Sequence, residues 1–125
     1  IGDTIMNIII INKHYRRNLP NKFYIGRGSP LGNRYTHLSD IPNTIQVDSI
    51  DEAVECFDDD LMKDIKNRKR TVCDYLNQIY TAALEGDIYL ECYCMDEIQP
   101  SKRDHNCHAT VVRRVILDKY NQRGR

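Results

Sequence analysis

No stretch of this 125-residue chain is apolar over anything close to the roughly 20 residues that a membrane-spanning helix needs. No secretory signal is expected from these residues either. The run "MNIIII" is short, lacks the flanks of a signal peptide, and reads as a buried strand. Neither sign of charge is in excess: 18 Lys and Arg face 18 Asp and Glu. That excludes a protein coating nucleic acid by net charge alone. The five cysteines are odd in number and have no secretory context, which argues against a disulfide framework. Internal repeats and low-complexity segments are also lacking. These absences predict a cytoplasmic protein without a membrane anchor.

What is present suits one domain. Hydrophobic residues make up 41% of the chain, enough for a single core. The domain is expected over residues 6–125. Met6 reads as the natural start, and residues 1–5 read as a disordered leader or a remnant of cloning.

Asn7 to Ile11 is continuous and β-branched, as in a strand buried on both faces. Lys22 to Ile25 reads as a second, short strand. The ten residues between them leave a parallel crossover and an antiparallel or looped relation equally open. Arg34 to Val47 reads as a loop broken by Pro42 and Asn43. Ser49 and Glu52 form a capping box at the start of a helix whose stripe is Ile50, Ala53, Val54, Phe57, Leu61 and Ile65. Thr71 is expected to cap a second helix, and Gly86 to end it in a positive-φ conformation. "DIYLECYC" alternates as a third strand, and Asn106 is placed to cap a last helix. The predicted fold is therefore a small single α/β domain, or a compact α+β one. It has three core strands and three helices in the order β-β-α-α-β-α.

Two segments carry the candidate chemistry. In "FYIGRGSPLGNRY", Gly26, Gly28 and Gly32 allow unusual dihedrals and close backbone approach. Arg27 offers a two-pronged donor, and Ser29 and Asn33 add short polar groups. The spacing fits neither a P-loop nor a dinucleotide fingerprint, so two readings stay open: a tight structural turn or an anion-binding loop. The second segment is Cys92-x-Cys94, twelve further residues, then Cys107-His108. These are zinc-ligand types, but the spacing lacks C-x2-C knuckles and puts Cys and His side by side. No metal and no other cofactor is expected; if a metal were bound, Cys92, Cys94, Cys107 and His108 would be its ligands. The other readings are buried structural cysteines, or a reactive thiol. In the latter case Cys107 has its pKa lowered by a helix N-terminus and His108 or His105 acts as base. In open α/β sheets ligands gather at the carboxyl ends of the strands. Parallel strands would bring both segments, and the anion-favouring start of the last helix, to one edge.

The same residues resemble the domain-of-unknown-function family 4326, which occurs in bacteriophages and bacteria. "YIGRGSPLGN", "LECYC" and "CHATVV" are similar to that family's Y-I-G-R-x-S-P-L-G-N-P, C-W-C and P-C-H-G-D-V-L. Arg34 replaces the family's proline, Tyr93 its central aromatic, and Ala109 and Thr110 its glycine and aspartate. The resemblance implies that the glycine loop and the Cys-His end belong to one site, and it brings no established activity.

Three functions are weighed, in this order. The first is binding of a small anionic, nucleotide-like ligand by the glycine loop. A phage origin would make that a counter-defence role, such as sequestering a host signalling nucleotide in the host cytoplasm. The second is a nucleotide- or nucleoside-processing enzyme using Cys94, Cys107 and His108. Its acidic partner is lost at Thr110, and Asp96, Glu97 and Asp104 in the neighbouring loop could substitute. The third is an inhibitor of a host nuclease or defence complex. Its acidic helix would imitate a nucleic-acid backbone, since eight acidic residues and one lysine lie between Asp48 and Asp64. A solvated face on each helix is the better explanation of that charge. A homo-oligomer is compatible with all three.

Overall fold

The structure is a computed structural model and describes residues 7–12, 19–92 and 107–123. Its elements are β1 (Ile8–Asn12), β2 (Lys22–Tyr24), β3 (Tyr35–Thr36), β4 (Ile45–Gln46), α1 (Ile50–Lys66), α2 (Arg70–Glu85), β5 (Ile88–Cys92) and α3 (His108–Arg123). The main sheet has the order β1-β5-β2, and both pairings are parallel. This settles the open relation between the first two strands: they flank β5 and run the same way.

Alternation sorts the sheet's side chains. Ile8, Ile10, Ile88, Leu90 and Cys92 share one core with Val54, Phe57 and Leu61 of α1, Val72, Leu76 and Ile79 of α2, and Val112 and Ile116 of α3. Ile9, Tyr89 and Tyr24 point the other way and are only half-buried. β1 is therefore not buried on both faces along its whole length, as its apolar run suggested. The helices form because their apolar residues recur every three or four positions and face that core.

Three local expectations are corrected. Arg34–Val47 is not all loop, because β3 and β4 pair in parallel within it. Its ladder continues through Ile45 N donating to Arg34 O and Val47 N to Thr36 O. Thr71 does not cap α2; the cap position is Lys69, with no side-chain hydrogen bond. Gly86 sits at φ 169°, which is extended backbone open to any residue, so no left-handed turn requires it there. The cap of α1 holds: Ser49 Oγ accepts from Glu52 N at 3.0 Å. The returning Glu52 carboxylate takes the amide of Asp48, at 3.0 Å. Asn106 lies outside the described residues.

Candidate functional site

Because all three strands are parallel, their carboxyl ends meet at one edge, where the glycine loop leaves β2 and α3 begins. Ile25 joins the two. Its amide donates to Glu91 O of β5 at 2.9 Å, and its carbonyl lies 2.6 Å from His108 Nε2 at the start of α3. A carbonyl can only accept, so Nε2 carries the proton. His108 is 6% exposed and stacks edge-on against Phe57, with ring centroids 5.0 Å apart. Burial pushes the imidazole below its usual value; the Ile25 hydrogen bond and the field of Cys92 oppose the shift, and Arg27 reinforces it. His108 is therefore a neutral latch between helix and loop, with its Nε2 proton committed.

The loop is shaped from within. Ser29 donates to Gly26 O through both its amide, at 3.1 Å, and its hydroxyl, at 2.7 Å. Gly32 N then donates to Ser29 O at 3.1 Å. The Tyr24 hydroxyl donates to Arg27 O at 2.8 Å, while the Tyr75 hydroxyl of α2 donates to Tyr24 O at 2.6 Å. Leu31 is fully buried and plugs the loop into the core. At Gly32 a Cβ would come within 2.5 Å of Gly26 O and 2.9 Å of the Arg27 Cα. Gly28 adopts φ +94°, which side chains disfavour. Asn33 is also committed: Nδ2 donates to Ala53 O of α1 at 3.1 Å, and Oδ1 accepts from Tyr35 N at 2.9 Å. Of the six residues predicted to bind ligand, Gly26, Ser29, Gly32 and Asn33 hold the loop's own shape. Arg27 and Gly28 are exposed on it. The Arg27 guanidinium has no hydrogen-bond or ion-pair partner among the described residues.

The Cys-His end packs beneath this loop. Cys92 closes β5 and Cys107 immediately precedes α3. Their sulfurs are 3.4 Å apart, and both residues are fully buried. The amide of Ala109 is directed at Cys107 Sγ, also at 3.4 Å, and Thr110 N and Oγ1 both donate to Cys107 O. The start of α3, expected to face an anion, is thus turned to Cys107's own sulfur and carbonyl. The glycine loop, Cys92, Cys107 and His108 thus form one connected cluster.

A family model described as "Domain of unknown function (DUF4326)" matches residues 10–118. The chain belongs to this family. The match begins within β1 and ends within α3, so it contains the glycine loop, Cys92, Cys107 and His108, and the description carries a family without an activity. Neither a curated protein nor a solved structure matches the chain.

Cys94, with Tyr93, Asp96, Glu97, Asp104 and His105, lies outside the described residues. Among the described residues no three His, Cys, Asp or Glu side chains gather as a metal site needs. Sequence reasoning missed Asn12 and Glu91, buried polar residues at 2% and 5% exposure on the last turns of β1 and β5. Both stand at the site's edge, and Glu91 is paired with Tyr24 across the ladder. The only available signal was a carboxylate inside an otherwise apolar alternation.

Cavities do not simply coincide with this edge. The larger one, 480 Å³, lies among the three helices and is lined by Met62, Cys73, Leu76, Tyr80, Arg114 and Lys119. Its cations are engaged: Arg114 pairs with Asp58 at 2.6 Å, and Lys119 contacts Asn77 at 2.7 Å and lies 4.7 Å from the Tyr80 ring centre. A smaller cleft of 140 Å³ lies between the glycine loop and α1, lined by Pro30, Gly32, Arg34, Tyr35, Asp60 and Lys69. There Asp60 accepts from Tyr35 at 2.7 Å and pairs with Arg34 at 3.2 Å. The motif edge is the better candidate, because it presents a shaped loop whose cation, Arg27, has no hydrogen-bond or ion-pair partner among the described residues.

Proposed function

We propose that this chain binds a small anionic, nucleotide-like ligand on the Arg27–Gly28 face of the glycine loop. The observation that carries the reading is the exposed guanidinium of Arg27, without a hydrogen-bond or ion-pair partner among the described residues, on a loop whose shape Gly26, Ser29, Gly32 and Asn33 hold. Such a fixed mount lowers the ordering cost of a two-pronged contact to phosphate or carboxylate. The position at the carboxyl edge of a parallel sheet is where open α/β folds take their ligands. Binding without turnover would suit sequestration of a signalling nucleotide, and the committed Nε2 of His108 favours binding over a Cys-His enzyme. Acid mimicry by α1 has less support, since Asp58, Asp60 and Asp64 are already paired to Arg114, Arg34 and Lys69.

The test is a thermal-shift panel of nucleotides and nucleotide second messengers on the wild type and on Arg27→Ala. A charge-assisted contact of this kind contributes about 1.5–3 kcal/mol, or roughly 10- to 150-fold in affinity. Arg27→Ala should keep the wild-type melting temperature without ligand and lose most of the ligand-induced shift. A panel with no stabilising compound removes the reading. A compound that stabilises both proteins equally places the site elsewhere.

A further inference from the structure

Cys92 and Cys107 have no part in the ligand contact proposed above, yet they are the most closely apposed reactive pair among the described residues. We propose that they are a redox-active dithiol, converted by hydrogen peroxide into a disulfide that ties the end of β5 to the start of α3.

Geometry supports this first. The sulfurs are 3.4 Å apart, so reaching a bonded separation of about 2.05 Å needs only about 1.4 Å of travel. The pair comes from two different elements and spans 14 intervening residues, a length over which a cross-link restricts the unfolded chain appreciably. The two sulfurs are also unequal. Cys107 immediately precedes α3 with the Ala109 amide directed at its sulfur, a donor placed to stabilise negative charge that develops there during attack. Cys92, at the strand end, has no such position.

The chemistry follows from that difference. The Cys107 sulfur attacks one peroxide oxygen and the O–O bond breaks. Hydroxide leaves and takes a proton to become water, and Cys107 is left as a sulfenic acid. The Cys92 thiol gives up its proton and attacks the Cys107 sulfur. The S–O bond breaks and a second water departs. Two thiols and one peroxide become one disulfide and two waters; the sulfurs lose two electrons and the peroxide oxygens gain them. Both thiols are buried at rest, so peroxide enters through local opening at the α3 start. The cross-link would sit one residue from His108 and thereby stiffen the latch on Ile25 and the loop beyond it.

The experiment uses the full chain with Cys56→Ser and Cys73→Ser, which removes the two half-exposed thiols on α1 and α2. The protein is treated with hydrogen peroxide, alkylated after unfolding, and mapped without reduction. The expected result is a mass lower by two hydrogen atoms and a single linked peptide pair joining Cys92 to Cys107. The melting temperature should rise by on the order of 5–15 °C and return after dithiothreitol. A Cys92→Ser variant should accumulate a Cys107 sulfenic acid that dimedone traps. The proposal is overturned if both thiols alkylate fully after peroxide. It is also overturned if Cys94 replaces either partner in the linked pair, or if Cys107 is overoxidised while Cys92 stays free. The linkage map of the unsubstituted pair decides the matter even if the serine variant fails to fold.

Discussion

At the amino end of the sheet, Asn7 donates from Nδ2 to Asp87 at 3.0 Å, and both side chains face water. At the carboxyl end, Asn12, Glu91 and His108 are buried polar residues, and Cys92 and Cys107 are fully enclosed. The same three strands thus end in two different ways. Polar groups at the amino end can exchange partners with solvent at little cost. Those at the carboxyl end are held in a low-dielectric setting, where each needs its partner. An acidic side chain, an amide, an imidazole and two thiols are buried together at that one edge. The difference singles out the carboxyl edge, where the proposed ligand contact and the dithiol both lie.

Removing the latch should separate the two ends most strongly. His108→Ala leaves the Ile25 carbonyl unpaired and empties space beside Phe57, which should cost about 2–4 kcal/mol of folding stability. Asn7→Ala at the amino end should stay within about 0.5 kcal/mol of wild type. Urea denaturation of both variants measures the contrast; equal losses would erase it.

Glycine replacement probes the same asymmetry through the backbone. A Cβ at Gly32 meets backbone atoms at 2.5 and 2.9 Å, which cannot move aside as a side chain would. Gly32→Ala should therefore cost about 1–3 kcal/mol. At Gly86 a Cβ meets nothing within 4 Å, and the extended backbone suits alanine. That replacement should be neutral or stabilise by about 0.4–1 kcal/mol through the unfolded chain. Thermal melts of the pair check the sign as well as the size.

These two glycines show how far the sequence could be read. Long periodic segments were legible: α1, α2, α3 and β5 announce themselves by spacing, and the Ser49 box marks where α1 begins. The parallel sheet edge and the meeting of loop with Cys-His end followed once strand direction was allowed. Gly86 and Gly32 look alike in sequence, but only the tertiary path makes one open and the other crowded. β3 and β4 are two residues each and too short to show a period. The roles of Ser29 and Asn33 depend on where Gly26, Ala53 and Tyr35 come to lie, and nothing in their own neighbourhood gives that.

A proton titration gives a smaller effect at the carboxyl end. Burial, outweighing the Ile25 hydrogen bond, holds His108 below its ordinary value of 6.5. In the unfolded chain it titrates near that value, so below about pH 6.5 the unfolded state binds a proton that the folded state refuses. Stability is full above that pH and falls as pH drops toward the lowered folded value. The slope is at most about 1.4 kcal/mol per pH unit. His108→Gln, whose amide can still donate to Ile25 O, should flatten the fall between pH 7 and 5. An unchanged slope in melting temperature against pH would mean that another group titrates there.

A further small effect belongs to neither end and gives the comparison a reference. Arg114 of α3 makes a two-pronged contact with Asp58 of α1, at 2.6 and 2.9 Å, on the outer surface of the helices. The Arg114 hydrogen bond holds the Asp58 carboxyl below its usual 3.8, against a modest opposing effect of burial. Both side chains remain well exposed, at 49% and 30%, so solvent screens the pair and its removal should cost only about 0.2–1 kcal/mol. The sign is opposite in origin to that of a raised group. This contribution is present above pH 3.8 and is lost as pH falls through the lower folded value. It should also shrink in high salt, because exposed charges are screened within about 3 Å at 1 M. A double-mutant cycle of Asp58→Ala and Arg114→Ala, read at low and high salt, measures it. A coupling as large as the His108→Ala loss would show that the helix surface, not the carboxyl edge, carries the decisive polar contact.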